Sequence, residues 1–224
     1  MAGGAPSSAE GAGAPGSPRV AQGAVWTLLG LVIAAVSVAG LWSLIPKTPA
    51  EPLPVLGELP AFSLTESGGS AIGLEALSGR PWVADFIFTR CTGICPMLST
   101  RMLALQEQMS ASSSLSEVRL VSISVDPQHD TEEVLRDYGL RNGADMDRWL
   151  FLTGEWEETR RLVGEGFKLG VSQADPAEVE EGELVTHSDR LVLVDGRGRI
   201  RGYYHGSEDD CVERILADLQ RIDS

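Results

Sequence analysis

The chain has 224 residues, 43% hydrophobic and 22% charged, with 18 Lys and Arg against 32 Asp and Glu, a formal net charge of −14. That length bounds one ordinary domain plus an attachment, and the acidic balance argues against a nucleic-acid binder, which needs a basic face to displace counterions from phosphates. The three cysteines, Cys91, Cys95 and Cys211, are too few and too unevenly spaced for a disulfide-stapled scaffold, and the first two, four positions apart, point to a site.

Residues 1–23 are rich in Ala, Gly, Ser and Pro and carry only Glu10 and Arg19 as charges. They are too short and too weakly apolar to fold and read as a disordered tail. They lack the Arg-rich amphipathic pattern of a mitochondrial transit peptide. Residues 24–45 carry no charge. As a helix they would be about 33 Å long, enough to cross a hydrocarbon core of about 30 Å. Trp26 and Trp42 lie near the two ends, where indoles favour the interface, and Pro46 stops the helix. A cleaved signal peptide would have an apolar region of only about 7–15 residues. The expectation is one transmembrane anchor over 24–45. Arg19 and Lys47 flank it evenly, so local charge does not orient it. Pro46, Pro49, Pro52, Pro54 and Pro60 make 46–60 an extended, semi-rigid spacer.

From 61 to 224 the pattern alternates strand and helix. Phe62–Leu64 and Ala71–Leu74 flank a Ser-Gly-Gly turn and predict a small hairpin. Residues 82–88, Trp-Val-Ala-Asp-Phe-Ile-Phe, form a nearly continuous apolar run, the pattern of a strand buried on both faces. A helix follows from Cys95 to about Met109, then a second buried strand over Val118–Val125. Acidic residues after Asp130 open a helix where its dipole favours them. Trp149–Leu152 predicts a strand and Glu155–Gly164 a helix. Arg190–Val194 and Arg199–Tyr204 flank an Asp195-Gly196 turn and predict a hairpin. Ser207 is the expected cap of a last helix carrying Val212, Ile215, Leu216 and Leu219 on one face. The order β-α-β-α-β-α-β-β-α implies a mainly parallel sheet covered by helices. This is an α/β, thioredoxin-like topology with an extra N-terminal hairpin, preceded by the anchor.

The chemistry concentrates in Phe88-Thr-Arg-Cys91-Thr-Gly-Ile-Cys95-Pro96. Cys91 falls in a strand-to-helix loop, where α/β sheets place ligands, and Cys95 at the helix start. Pro96 is tolerated there because first-turn amides lack intrahelical acceptors. The positive helix end and Arg90 are expected to lower both thiol pKa values. Two thiolates are a soft donor pair suited to Cu(I), zinc or iron–sulfur centres. Zinc normally takes four ligands and clusters four cysteines, whereas two thiolates and one imidazole suit copper. His187 precedes the final hairpin, in the loop that faces the cysteines in this topology. His129 and His205 read as solvated loop residues, and Cys211 as a half-buried helix residue. A redox couple would usually have the shorter C-x-x-C spacing and a cis-Pro facing it. Here the facing segment is Val185-Thr186-His187-Ser188, without Pro. The acidic stretch 172–186, with Asp175, Glu178, Glu180, Glu181 and Glu183, reads either as a solvated loop or as a surface that steers a basic partner.

Over about residues 58–222 the chain resembles the SCO/SenC family of membrane-anchored copper chaperones for cytochrome c oxidase assembly. The resemblance rests on Cys91-Thr-Gly-Ile-Cys95-Pro96, Asp126-Pro127-Gln128-His129-Asp130-Thr131, Leu152-Thr153-Gly154, and His187 followed by a hydrophobic strand and Asp195-Gly196. It implies one copper ion, Cu(I) or Cu(II), held by Cys91, Cys95 and His187. It implies a role in loading the binuclear copper centre of oxidase subunit II, with an upstream protein as copper donor. It also places the domain on the extracytoplasmic side of a bacterial cell membrane. Thr186 stands where many members have Asp directly before the His, and Asp189 is the carboxylate that would take over its orienting role. The C-x-x-x-C spacing lets the two sulfurs approach, so an oxidised, copper-free chain is expected to hold a Cys91–Cys95 disulfide. The alternatives are a thiol–disulfide oxidoreductase or thiol peroxidase using the same cysteines, and a redox or copper sensor.

Overall fold

A computed structural model describes residues 19–43, 51–170 and 188–222, and within the first helix the side chains of 26–38. The chain divides into two compact units, residues 1–49 and 50–224.

In the first unit, helix α1 spans Arg19–Ser43. Trp26, Leu28, Leu29, Leu31, Val32, Ile33, Val36 and Val38 are all exposed, so apolar side chains point outward on every side of it. Among the described residues no helix is long and apolar enough to cross a membrane.

The second unit is one eight-stranded sheet with helices on its faces. Its elements, in chain order, are β1 (Gly57–Glu58), β2 (Ser63–Glu66), β3 (Ala71–Gly73), α2 (Leu74–Leu77), β4 (Trp82–Ile87), α3 (Ile94–Ser110), β5 (Arg119–Ser124), α4 (Glu132–Arg141), β6 (Trp149–Thr153), α5 (Trp156–Arg161), β7 (Arg190–Val194), β8 (Arg199–His205) and α6 (Cys211–Leu219). The strand order is β1-β8-β7-β4-β5-β6-β2-β3. β4, β5 and β6 run parallel, and β7 and β8 extend the sheet antiparallel beside β4. The expected N-terminal hairpin is β2–β3, and β2 also pairs antiparallel with β6.

All six residues of β4 are buried because both faces of the strand are covered. Val83 and Ile87 join Leu98, Met102, Leu105 and Ile215 of α3 and α6 in one apolar layer. Trp82, Ala84 and Phe86 join Leu162, Phe167 and Ile200 in the other. The Phe167 ring meets Trp82 and Phe86 edge-on, with centroids 6.0 and 4.9 Å apart, contacts worth about 0.5–1.5 kcal/mol each beyond area burial. Alternation along β4 puts Asp85 on the same face as Val83 and Ile87, beneath α3.

Helix α1 opens at Arg19, inside the stretch 1–23 expected as a disordered tail. In the second unit four further departures bear on the fold. The spacer expected over 46–60 is, from Leu53 on, part of the domain. Leu53 and Leu59 are buried, and β1 pairs with β8. Arg201, itself buried, clasps this strap: it donates to the carbonyls of Pro54 (3.1 Å) and Leu53 and to Asp195 Oδ2 (2.8 Å). Second, Ser207 does not cap the last helix. Its hydroxyl donates to Asp189 Oδ2 at 2.5 Å, residues 206–210 form turns, and α6 starts at Cys211. Third, the helix expected over Glu155–Gly164 is α5 followed by a π-helical turn, Leu162–Gly166. Fourth, the β7–β8 hairpin closes with Gly198, not Gly196, in the left-handed region (φ +76°). The Gly198 amide donates to Asp195 O at 2.9 Å but the Asp195 amide donates to Arg199 O at 2.9 Å, so the loop is one residue longer than a two-residue turn.

Replacing Arg201 with Leu leaves two carbonyls and part of a buried carboxylate without donors. Loss of one partner of a buried pair costs about 3–5 kcal/mol. The Arg201→Leu chain is expected to unfold at lower urea concentration and to be cut by protease within 51–58 well before the sheet. Unchanged cleavage there would show that the strap is held by β1 pairing alone.

Candidate metal centre

Strand β4 ends at Ile87, and the chain turns at Phe88–Cys91, where the Cys91 amide donates to Phe88 O at 3.1 Å. Helix α3 then opens at Ile94 with Gly93 as its N-cap residue, and no side chain caps it. The first amides of a helix need acceptors from outside it. The Cys91 sulfur faces that end: the amides of Cys95, Gly93 and Ile94, together with the Cys95 thiol, favour its thiolate. Cys95 lies in the first turn beside Pro96, as expected, and is buried.

The two thiols are therefore chemically unlike. Burial pushes the Cys91 pKa up, but the three amides and the neighbouring thiol outweigh it and hold the value below the ordinary one. Cys95 moves the other way. Burial pushes its thiol far up, the Phe88 amide offsets only part of this, and the Cys91 sulfur and the Asp85 carboxyl push it further. Arg90 does not act as expected. Its guanidinium donates to Asp126 Oδ2 at 2.9 Å and meets His129 Nδ1 at 3.0 Å, and what lowers Cys91 is the helix end.

Of the expected third ligands, His187 lies outside the described residues, as does the acidic stretch 172–186. Among the described residues no group of three His, Cys, Asp or Glu could hold a metal ion. His129 is exposed, with Nδ1 also 3.0 Å from Asp126 Oδ1. His205 is half-exposed and paired through Nδ1 with Asp189 Oδ1 at 2.8 Å. Asp189, expected to orient His187, is thus already engaged by His205 and Ser207. Cys211 is fully buried in the α3–α6 layer, deeper than its helical pattern implied, and burial raises its pKa to about 11.

Two carboxylates near the thiols were not anticipated as site residues. Asp85 is completely buried. Its Oδ1 accepts from Ser122 Oγ at 2.5 Å, and Ser122 Oγ accepts from Trp149 Nε1 at 2.8 Å. Its Oδ2 has no partner among the described residues. Burial raises its pKa to about 7, against the bond from Ser122. The visible signal was an acid inside an otherwise apolar strand. Asp130 is also fully buried, at the start of α4, and its carboxylate accepts from Thr89 and Ser124. Burial raises its pKa against those bonds.

Fold and geometry together define a class: a thioredoxin-like α/β domain with a dithiol at the N-terminus of the helix after its central strand. The SCO1/SenC family model matches residues 56–223. The SCO1 protein homolog of Bacillus subtilis is 32% identical over 169 residues, 75% of this chain and 83% of that one. The chain belongs to the SCO1/SenC family. Among solved structures it is similar to BsSco, described as a member of the Sco family of cytochrome c oxidase assembly proteins with a disulfide switch. That likeness has a TM-score of 0.66 at 31% identity and covers 76% of this chain and 97% of that one. It shares its fold with copper-bound ScoI of Bradyrhizobium japonicum, with a TM-score of 0.59 at 23% identity, covering 74% of this chain and 99% of that one.

Asp85 makes a pH prediction. A carboxyl whose folded pKa is raised binds more protons folded than unfolded. Its contribution is therefore most favourable below about pH 4 and is lost as pH rises to about 7. Asp189 and Asp195, whose values are lowered, act the other way and only at more acid pH. The stability of Asp85→Asn relative to the parent chain is expected to rise by up to about 4 kcal/mol between pH 4 and 8. Urea unfolding across that range reads it, and a difference independent of pH would contradict the assignment.

Proposed function

We propose that the chain is a membrane-anchored copper carrier. It takes one ion from an upstream donor protein, holds it through Cys91, Cys95 and His187, and passes it to the binuclear copper centre of cytochrome c oxidase subunit II. The observation that carries this reading is the pair of neighbouring thiols at the α3 N-terminus, each shifting the other's pKa and one of them half-buried. Family membership supports it, as do the copper held by a protein of the same fold and the oxidase-assembly role of BsSco's family.

The ion is cargo, and the two thiols fit it. Cu(I) is soft and has no geometric demand that a loop and a helix end cannot meet. Cys91 is half-buried, so a partner thiolate can approach it and exchange ligands stepwise. Its lowered pKa makes the first thiolate easier to form than at an ordinary cysteine. The second proton leaves Cys95 only when the metal compensates for burial, which makes loading and unloading proton-linked.

The anchor belongs to the same proposal. Residues 24–45 carry no charge, α1 is continuous through most of them, and its described apolar side chains face outward on every side. A helix apolar all round is buried in a core or a membrane. The domain then lies on the extracytoplasmic side of a bacterial cell membrane, where the recipient's copper centre is assembled.

The unlike thiols also favour a second reading, a thiol–disulfide oxidoreductase. In it the Cys91 thiolate attacks a partner disulfide and Cys95 resolves the mixed disulfide. Metal analysis of chain purified under reducing conditions separates the two: stoichiometric copper favours the carrier, and metal-free chain with rapid disulfide turnover the oxidoreductase.

For the carrier, His187→Ala is expected to weaken Cu(I) binding only on the order of tenfold and nearly to abolish the sulfur-to-Cu(II) charge-transfer band, because Cu(II) prefers nitrogen and oxygen donors in tetragonal geometry. Cys91→Ala and Cys95→Ala are expected to remove both. His129→Ala and His205→Ala are expected to change neither. Competition with a Cu(I) chelator and visible absorption measure the two states. A wild-type Cu(II) band in all three His variants would rule out a histidine ligand.

A further inference from the structure

We propose that Asp130 is a positioning residue for Cys91: its buried carboxylate clamps Thr89, two residues before the thiol, to Ser124 at the end of β5. The clamp holds the Phe88–Cys91 turn in the shape that sets the Cys91 sulfur on the α3 amides.

The bonds are unevenly shared. Thr89 Oγ1 donates to Oδ1 at 2.5 Å, and the Thr89 amide reaches Oδ1 at 3.3 Å and Oδ2 at 3.1 Å. Ser124 Oγ donates to Oδ2 at 2.6 Å. Ser124 in turn accepts from the Asp126 amide at 3.1 Å, which ties the carboxylate to the start of its own loop. A buried carboxylate must be met by donors or it is expelled or neutralised. Here most of that need is spent on one residue of another loop, and the neighbouring cation, Arg90, goes to Asp126 instead.

Thr89 is the position that matters in that loop. It lies within the turn closed by the Cys91 amide on Phe88 O. The amide of the same Phe88 favours the Cys95 thiolate. Fixing Thr89 on both its amide and its hydroxyl therefore fixes the backbone that presents both sulfurs. A Thr side chain has few rotamers to lose in being held this way. Neither Asp130 nor Thr89 reaches the sulfurs themselves in any bond described, so each acts through the turn.

Copper affinity as a readout rests on the copper-carrier reading; the clamp itself does not. The test is a double-mutant cycle on the full chain with Thr89→Val, which keeps shape and amide but loses the hydroxyl, and Asp130→Asn. Arg201→Leu, at the β8 edge, serves as the stability control. Each clamp variant is expected to weaken Cu(I) binding about tenfold, with the double variant no worse than the Asp130→Asn single, because coupled residues are not additive. Without copper, the Cys91–Cys95 disulfide is expected to become harder to reduce, since the clamp favours the reduced arrangement. A tenfold change is about 30 mV more negative for a two-electron couple, read in glutathione redox buffers. Arg201→Leu is expected to lose stability but move neither value. If the clamp variants shift the potential while the parent chain binds no Cu(I), the clamp stands and the copper reading falls. If they lower only unfolding stability, as Arg201→Leu does, Asp130 is structural and the proposal is overturned.

Discussion

Everything at this site follows from the unmet amides of one helix end. Helix α3 begins without a capping side chain, and the amides of Cys95, Gly93 and Ile94 favour a thiolate at Cys91. That arrangement stabilises a thiolate at the surface and forces the second thiol, one turn along, into the apolar layer beneath. The asymmetry of the pair is thus a property of helix geometry, with the nearby Arg90 committed elsewhere.

The rest of the domain serves that end. The central strand is buried on both faces, so the loop leaving it starts from a fixed point. The segment after β5 returns a buried carboxylate to the same loop. Beneath the helix lies a second acid, Asp85, whose own negative charge makes a thiolate at Cys95 more costly. A buried group of this kind detracts from stability once ionised.

Much of this was legible in the residues. Continuous apolar runs point to β4 and β5, the Cys91–Pro96 segment to the loop and helix start, and the acids after Asp130 to α4. What was hidden was non-local. The strap at 51–58 reads as Pro-rich spacer because its bonds come from Arg201 and from β8, far along the chain. Ser207 has the composition of a cap but is taken by Asp189. The two thiols look equivalent in sequence, and what separates them, the helix-end amides at Cys91 and burial at Cys95, shows only in the fold. His187 was singled out by topology and family resemblance, and its placement rests on those alone.

The central claim is that one copper ion is shared by two unlike thiolates and one imidazole. X-ray absorption of the Cu(I)-loaded full chain tests it most directly, because it counts and types the atoms around the metal. The account predicts two sulfur scatterers and one nitrogen from an imidazole, at one copper per chain. A site with a single sulfur, or with no imidazole, would contradict it.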